Sequence, residues 1–196
     1  ASDTTSGTIN TAVPNLTLDA LGTGNDTIPT ISGTTDIAPG STVSISVTDN
    51  AGNTQTFDAT VQANGTFIVD VPAALSEGNY SVTATATDGA GNTATANENG
   101  GIIDTTAPTA PTVDAGNGTE ITGTAEAGAT VNVDVDGDGT PSFTVVADGD
   151  GNWSVTPDTP LADGVVVSAT ATDDAGNISN PASDTVDAIA PIVAFN

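Results

Sequence analysis

Two stretches of the chain alternate apolar and polar residues and then end in the same kind of turn. Residues 82–92 read VTATATDGAGN, and residues 167–177 read VSATATDDAGN. In both stretches every second position is Val or Ala, which is the period of a strand with one buried face. The Asp and the Gly-Asn that follow are typical of a tight turn with left-handed backbone. The recurrence predicts two units of the same design.

Short runs rich in Thr, Val and Ile, bounded by Gly, Asn, Asp or Pro, predict seven strands in each unit. The strands predicted for the first unit are 15–18, 29–33, 42–48, 54–61, 66–71, 79–87 and 93–103. Those predicted for the second unit are 112–113, 120–123, 130–135, 142–147, 152–156, 165–172 and 177–186. The pattern predicts an all-β protein of two tandem immunoglobulin-like β-sandwich domains arranged end to end, without the Cys–Trp–Cys pattern of true immunoglobulins.

Repeated segments between the units predict the domain boundaries. Residues 1–4 are identical to residues 182–185, and the linkers that follow these segments carry Asn10 and Asp187 at equivalent positions, as the middle linker carries Asp104. The expected boundaries are 1–12 for the end of a preceding repeat, 13–104 for repeat 1, 105–190 for repeat 2 and 191–196 for the start of a following repeat. Such an array makes neighbouring repeats of the same chain the expected partners of a monomeric segment.

The charge of the chain narrows the choice of partners. The sequence has no Lys, Arg, His or Cys and carries a formal charge of −25. Nucleic acids and anionic membranes are therefore not expected to bind, because nothing in the chain neutralises phosphate. Disulfides are absent, and the apolar residues are mostly small, so bound cations are the remaining common means of stabilising such thin cores. The alternative is a surface whose acidic residues serve only to keep the protein solvated.

Strand direction predicts where acidic loops meet. If successive strands alternate in direction, the loops after the second, fourth and sixth strands lie at the end of a unit where its linker enters. In the second unit these loops and the linker hold Asp104, Glu126, Asp148, Asp150, Asp173 and Asp174. Because Ca²⁺ takes about six to eight oxygen ligands, the arrangement predicts an interdomain Ca²⁺ site. Asp104, Glu126 and Asp173 are its expected first ligands, and Asp148 or Asp150 would join them or hold a second ion.

The alternative for these acidic residues is that they only cap turns and stay solvated. The equivalent set in the first unit is Asn10, Asp36 and Asp88, which has one charge fewer and predicts weaker binding. Asp187, at the equivalent position of the last linker, belongs to the same group of candidate ligands.

A second candidate Ca²⁺ loop lies at residues 134–139, which read DVDGDG. This sequence matches the first half of an EF-hand loop, with Asp136 and Asp138 presented around a tight turn. The Glu expected at the twelfth position is replaced by Val145, so an ordinary Asp-Gly hairpin is the alternative. Residues 22–28, GTGNDTI, match part of a Ca²⁺-binding nonapeptide, but a β-roll needs several stacked copies and one copy predicts only a glycine-rich loop.

Enzymatic activity is not expected. Without His, Cys or Lys, acid–base chemistry near neutral pH falls to carboxylates or Tyr80. A glycosidase with paired carboxylates would need an aromatic-lined cleft, and Trp153 occupies an inward strand position that predicts a core role.

Several motifs resemble those of a known family. Residues 123–131 (GTAEAGATV), 150–153 (DGNW), 171–177 (ATDDAGN) and 104–108 (DTTAP) are similar to the bacterial immunoglobulin-like repeats of giant type I-secreted RTX adhesins. The resemblance covers both units. It implies an extracellular array at the bacterial surface, with Ca²⁺ at domain junctions, that holds a distal binding region away from the cell. The chain departs from the pattern at Asp36, where the second unit has Glu126, and at Asn10.

The function expected from these observations is a Ca²⁺-rigidified extender, or stalk, of a bacterial surface adhesin involved in cell adhesion or biofilm formation. One alternative is a module that itself binds a glycan or another surface; the absence of a distinct insertion in either unit argues against it. Another alternative is a pair of spacer domains in a secreted polysaccharide-degrading enzyme.

Overall fold

The computed structural model of the chain describes residues 9–189, which form strands, turns and loops without a helix. Within this range nothing helical is long and apolar enough to cross a bilayer. The chain divides into two compact units, Ala1–Asp104 and Thr105–Asn196. Of the repeat fragments expected at residues 1–12 and 191–196, residues 1–8 of the first and all of the second lie outside the described residues.

The first unit is a sandwich of two sheets. One sheet has three strands in the order β1-β3-β6, and the other has five in the order β2-β8-β7-β4-β5. Every neighbouring pair is antiparallel except β2 and β8. The strands are β1 (Leu16–Leu18), β2 (Thr23–Gly24), β3 (Thr30–Thr35), β4 (Thr42–Thr48), β5 (Thr54–Thr60), β6 (Thr66–Asp70), β7 (Gly78–Thr87) and β8 (Thr93–Ile103).

The alternating sequence places one face of each strand in the core. On β4, Val43, Ile45 and Val47 are fully buried, while the Ser and Thr residues between them are partly exposed. β7 repeats the pattern with Val82, Ala84 and Ala86. Small Ala side chains on β7 allow the facing sheet to approach closely, so a core with few aromatic residues still fills the space between the sheets.

The second unit has the same two-sheet plan with fewer strands. Its sheets have the orders β9-β12 and β11-β10-β13-β14, and all neighbours are antiparallel. The strands are β9 (Ile121–Thr124), β10 (Thr130–Asp134), β11 (Phe143–Val146), β12 (Asn152–Val155), β13 (Val166–Thr172) and β14 (Ala182–Thr185). Trp153 is 3% exposed and packs in the core with Ile121, Val131 and Val133, so the prediction of a core role for this residue is confirmed.

An aromatic side chain covers a glycine in each unit. Gly33 on β3 is directly opposite Phe67 on β6, and Gly123 on β9 is directly opposite Trp153 on β12. A Cβ atom at Gly33 would overlap the carbonyl oxygen of Thr17 and would lie 2.6 Å from Phe67 Cζ. Glycine at this strand position therefore makes room for the aromatic ring and for the backbone of the neighbouring segment.

Two strands predicted for the second unit are wrong in extent. Residues 112–113 form no strand; the segment is held by a single bridge from Asp114 to Thr122 and by the Thr112 amide, which donates to Thr124 O at 2.7 Å. The last strand is confined to Ala182–Thr185 instead of 177–186. Pro181 precedes it, and a proline lacks the N–H that would continue the ladder.

The expectation that neither unit has an insertion is also wrong. Asp19 and Asp114 occupy equivalent places, because each donates its amide to the strand opposite, at Ser32 O and Thr122 O. Gly33 follows Asp19 by 14 residues, whereas Gly123 follows Asp114 by only nine. The extra segment in the first unit contains β2, which pairs in parallel with the end of β8. The sequence pattern did not predict this short strand, because its Gly- and Thr-rich segment does not alternate apolar and polar residues.

Candidate metal centres

Within the described part of the chain, four turns hold an aspartate in the same geometry. In each, the Asp amide donates to the carbonyl of an Asn four residues on, and that Asn donates its own amide back to the Asp carboxylate at 2.8 Å. The glycine before the Asn has φ between 82° and 91°, a conformation that favours glycine. The aspartates are Asp49, Asp88, Asp148 and Asp173.

The hydrogen bonds orient these carboxylates and keep them ionised. The Asn92 side chain and amide lower the pKa of Asp88, and the Asn152 amide has the same effect on the pKa of Asp148. For Asp173, partial burial acts to raise the pKa, but the bonds from Asn177 outweigh it and the net pKa is lowered. Each of these side chains is therefore ionised at neutral pH and held in a fixed orientation.

The linker that enters the first unit meets two of the predicted acidic residues. The Asn10 side chain donates to Asp88 Oδ2 at 3.1 Å, and Asn92 Nδ2 donates back to Asn10 O at 3.2 Å. Asn15 donates its amide and its side chain to Asp36 at 2.8 and 2.7 Å. Asn10, Asp36 and Asp88 thus line one cavity of about 360 Å³. At this end of the unit the charged carboxylates are stabilised by amide donors.

The second unit also gathers its acidic loops at one end. The Ala125 amide, next to Glu126, donates to Gly151 O in the turn that contains Asp148 and Asp150. Thr172, which precedes Asp173, pairs with Thr130 in the strand that follows the Glu126 turn. The loops of Glu126, Asp148 and Asp173 therefore share an end of the unit. Their carboxylates do not form a group of three within 4.8 Å of one another in the described residues.

Asp104 and Asp187 occupy equivalent places after the last strand of their own units. The Asp104 amide donates to Gly24 O at 3.0 Å, and the Asp187 amide donates to Gly116 O at 2.9 Å. Both backbone bonds attach the outgoing linker to the first loop of the unit just completed. This anchoring fixes where each linker carboxylate leaves its unit.

One group of three carboxylates lies close enough to share an ion among residues 9–189. Oxygens of Asp134, Asp136 and Asp138 all lie within 4.8 Å of one another in the β10–β11 hairpin. Asp134 accepts the amides of Gly137 and Gly139 at 2.7 and 3.0 Å. The predicted pair Asp136 and Asp138 is thus brought together, and Asp134 joins it.

The side chains of this hairpin offer the type of ligand that Ca²⁺ prefers, but too few of them to complete its coordination. All three side chains offer carboxylate oxygen, the ligand that Ca²⁺ prefers. Backbone amides already donate to both oxygens of Asp134. One oxygen of Asp138 accepts the amide and the hydroxyl of Thr140, at 2.7 and 2.6 Å. Val145, at the twelfth position, lies in β11 and packs against the core. The remaining ligands of an ion here would be main-chain carbonyls and water.

One site-like turn was missed in the sequence. Asp49-Asn-Ala-Gly-Asn53 has the same pattern as the recognised copies, and Asp49 is only 7% exposed. Burial acts to raise its pKa, but hydrogen bonds from Asn53 and Ser76 prevail and lower it to about 2. This turn joins β4 to β5, away from the incoming linker, so the motif by itself is a turn-forming device and does not identify a metal site.

Comparisons with known proteins fit these domains. A family model described as a bacterial Ig-like domain matches residues 9–105, and one described as a bacterial Ig domain matches residues 107–188. The chain consists of two bacterial immunoglobulin-like domains. The predicted resemblance and the all-β sandwich fold are thereby confirmed. No curated protein sequence matches the chain.

Several solved structures are similar to these bacterial immunoglobulin-like domains. A tetra-tandem repeat from the extending region of a large adhesion protein is 32% identical over 90% of this chain and 49% of its own, with a TM-score of 0.41. A Ca²⁺-stabilised adhesin with which an Antarctic bacterium binds ice is 25% identical over 90% and 49%, with a TM-score of 0.43.

A third structure is the BSP domain of a biofilm-associated protein. It is 27% identical over 89% of this chain and 30% of its own, with a TM-score of 0.39. The chain spans half or less of the length of these three structures.

Proposed function

We propose that these two domains are a Ca²⁺-rigidified extender segment of a large bacterial surface adhesin. In this role they act outside the cell and hold a distal ligand-binding region away from its surface. They perform no catalysis, and their partners are the neighbouring repeats of the same chain. The family supports the proposal, because bacterial immunoglobulin-like domains occur here in tandem within one acidic chain.

The observation that carries the proposal is the hydrogen bond from Asn10 to Asp88 at the entrance to the first domain. Asn10 is the linker residue, and Asp88 begins the turn after β7. In the next repeat the same two sequence positions hold Asp104 and Asp173. Exchanging the amide for a carboxylate removes the donor and would set two anions opposite each other, which a cation between them would stabilise. A single change in the linker thus converts a hydrogen-bonded entrance into a candidate ion site.

The proposed ligands of this ion are Asp104, Glu126 and Asp173, and the Asp148–Asp150 turn supplies further oxygens or a second ion. Bound Ca²⁺ would supply positive charge that ties a linker carboxylate to loops of the following repeat. The first domain binds more weakly through Asp36 and Asp88, because Asn10 already donates to Asp88. Asp187 would serve the next repeat in the same way. Asp134, Asp136 and Asp138 form a separate, local site.

Repulsion and attraction together would make such a linker responsive to Ca²⁺. The chain has 25 acidic residues and no basic one, so without a bound cation the ends of the domains repel one another. Extracellular Ca²⁺ modules bind at about 10⁻⁴–10⁻³ M, which matches Ca²⁺ concentrations outside a cell. The segment would therefore be stiff outside the cell and pliable where Ca²⁺ is scarce.

Calorimetric Ca²⁺ titration of two reciprocal variants tests the proposed ligands. Asp104→Asn recreates the first entrance in the second repeat and is expected to remove one binding event or weaken it at least roughly tenfold. Asn10→Asp is expected to add or strengthen one event. Asp58→Asn, on exposed β5, is the matched control for loss of one charge and should leave binding unchanged. Equal effects of Asp104→Asn and Asp58→Asn would refute the proposed site.

A further inference from the structure

The inserted segment of the first domain builds a feature that the second domain lacks. After β1 the chain makes an extended excursion through Leu21 and β2 before it enters β3 at Thr30. The Ile102 amide donates to Gly22 O at 3.1 Å, so the excursion is attached to the end of β8. Five additional residues are therefore held in a defined structure on one side of the sandwich.

The strand opposite this segment is modified to match. Tyr80 lies eight residues before Asp88, where the second domain has Val165 eight residues before Asp173. A β-bulge between Tyr80 and Ser81 interrupts the β7–β8 ladder, and Gly100 at the bulge has φ 105°. A Cβ atom at the next residue, Gly101, would overlap the hydroxyl-bearing end of the Tyr80 ring. The bulge and the two glycines make space for this tyrosine.

Tyr80 has an unused polar group. Its side chain is only 6% exposed, and no group within residues 9–189 forms a hydrogen bond with its hydroxyl. The hydroxyl oxygen itself is not fully buried, so water is its partner in the unbound protein and a polar atom of a ligand can replace that water. Burial and then the charge of Asp26 raise its pKa, so the hydroxyl stays protonated and remains a donor.

The insertion, Tyr80 and the end of β8 line one cavity of about 260 Å³ that is open to solvent. Its lining includes the exposed residues Asp19 and Asp26 and the apolar residues Leu21 and Ile102. The cavity is slightly smaller than the roughly 300 Å³ at which pockets for drug-sized ligands begin, so it suits a single small group.

The polar groups of the cavity are mostly acceptors. One oxygen of Asp19 accepts from the Ser32 hydroxyl, and Asp26 Oδ1 accepts the Ile28 amide at 2.9 Å. The second oxygen of each carboxylate has no such bond within the described residues. No Lys, Arg or His exists in the sequence to approach them. An anionic ligand is therefore disfavoured, and a ligand with several donors and a positive charge is favoured.

We propose that this cavity of the first domain binds a protonated amine or guanidinium group on an apolar stem. The cation would lie between Asp19 and Asp26, the stem against Leu21 and Ile102, and a polar atom of the ligand against the Tyr80 hydroxyl. The group could come from a small organic amine or from a Lys or Arg side chain of a partner protein. This site is independent of the proposed Ca²⁺ junction.

The test is an NMR titration of the whole 196-residue chain in saturating Ca²⁺ and physiological salt. The probes are n-butylammonium for a free amine and N-acetyl-lysine-methylamide for a side chain, with n-butanol as the uncharged analogue of the first. Saturable shifts of the amides of residues 21–24 and 101–103 by both amines, and not by butanol, are expected. Tighter binding of the lysine derivative would favour a protein partner as the source, and tighter binding of butylammonium would favour a free amine.

Three variants separate the cavity from general attraction to an acidic protein. Asp26→Asn is expected to weaken amine binding roughly threefold to fivefold, as is usual for an exposed ion pair. Tyr80→Phe keeps the ring and should weaken only those ligands that hydrogen-bond to the hydroxyl, so the lysine derivative should lose more affinity than butylammonium. Asp58→Asn, which removes the same charge outside the cavity, should have no effect.

Four results would overturn the proposal. They are shifts that do not saturate, equal losses in Asp26→Asn and Asp58→Asn, shifts by n-butanol that equal those by n-butylammonium, and saturation of the same amides by methyl glucoside but not by amines. The last result would make the cavity a sugar site.

Discussion

At the scale of single residues, hydrogen bonds to carboxylates decide which acidic side chains are structural. Asp49 is nearly buried and accepts bonds from Asn53 at 2.8 and 3.1 Å and from the Ser76 amide at 3.2 Å. Because these donors stabilise the charged form, the pKa of Asp49 falls to about 2. The same turn at Asp88 and Asp173 carries a lowered pKa as well, but those aspartates also lie at the end of a domain where a linker enters.

The lowered pKa of Asp49 predicts how the first domain responds to acid. A carboxyl group with a lower pKa in the folded state contributes stability that is present above its unfolded pKa, about 4. That contribution is lost as the pH falls towards about 2. Asp49→Asn should therefore lower the melting temperature of the first domain by several degrees at pH 7 and by much less near pH 2. Calorimetric melts across this range check the expectation, and a pH-independent difference would contradict it.

The unsatisfied indole N–H of Trp153 makes a second prediction at this scale. Trp153 Nε1 is buried and has no hydrogen-bond partner among residues 9–189, which costs about 1–3 kcal/mol. Phe67 occupies the equivalent place in the first domain without a polar atom. Trp153→Phe removes the unpaired donor but also some volume, so the free energy of unfolding should change by less than about 1 kcal/mol.

Trp153→Ala provides the contrast for this substitution. It should cost about 3–5 kcal/mol, because it leaves a cavity in the core. Urea denaturation measures both variants, and equal losses would contradict the expectation, because exchange of the indole for a phenyl ring would then cost as much as removal of the whole ring.

At the scale of elements, packing of the aromatic residues depends on the glycines opposite them. Gly33→Ala would force a Cβ against Thr17 O and Phe67 Cζ and should destabilise the first domain by about 1–3 kcal/mol or more. Gly89→Ala is the matched control, because a Cβ there meets nothing within 4 Å. Chemical denaturation should separate the two variants clearly. Equal stabilities would mean that β1 and Phe67 shift freely to accept the methyl group.

Most strands were predictable from the sequence because their alternation has one buried side. The run from Thr42 to Thr48 and the long run ending at Thr87 show this period without interruption, and both strands begin or end within a residue of the prediction. The failures occur where packing or backbone chemistry overrides the pattern. β2 is two residues long and arises from attachment to β8, and Pro181 shortens the last strand.

The sequence predicted the end of the domain at which the candidate site lies, but not the contacts within the site. Alternating strand direction was enough to place Asn10, Asp36 and Asp88 at one end of the first domain, where they line a common cavity. The bond from Asn10 to Asp88 and the orientation of Asp36 by Asn15 depend on the path of the linker, which no periodicity encodes. The cavity beside Tyr80 was missed for a related reason, since it is formed by an insertion, a bulge and a glycine pair far apart in sequence.

At the scale of the whole molecule, the proposed function depends on what offsets the repulsion between the carboxylates of this uniformly acidic chain. With a charge of −25 and no basic residue in the chain, the described domains rely on backbone amides and Asn side chains to stabilise individual carboxylates in their charged form. Linkers that carry Asp instead of Asn remove one such donor at each entrance. In the proposed role, Ca²⁺ then takes the place of that donor and limits the motion of one domain against the next.

The most direct test of this effect of Ca²⁺ on domain motion is the distribution of distances between two spin labels, one in each domain. The chain has no Cys, so Ile68→Cys and Val146→Cys, at positions 60% and 61% exposed, introduce unique attachment points. We expect a narrow distribution in millimolar Ca²⁺, a broad one in chelator, and a distribution that stays broad in Ca²⁺ when Asp104 is replaced by Asn. The same distribution in Ca²⁺ and in chelator would contradict the proposed role of the junction ion.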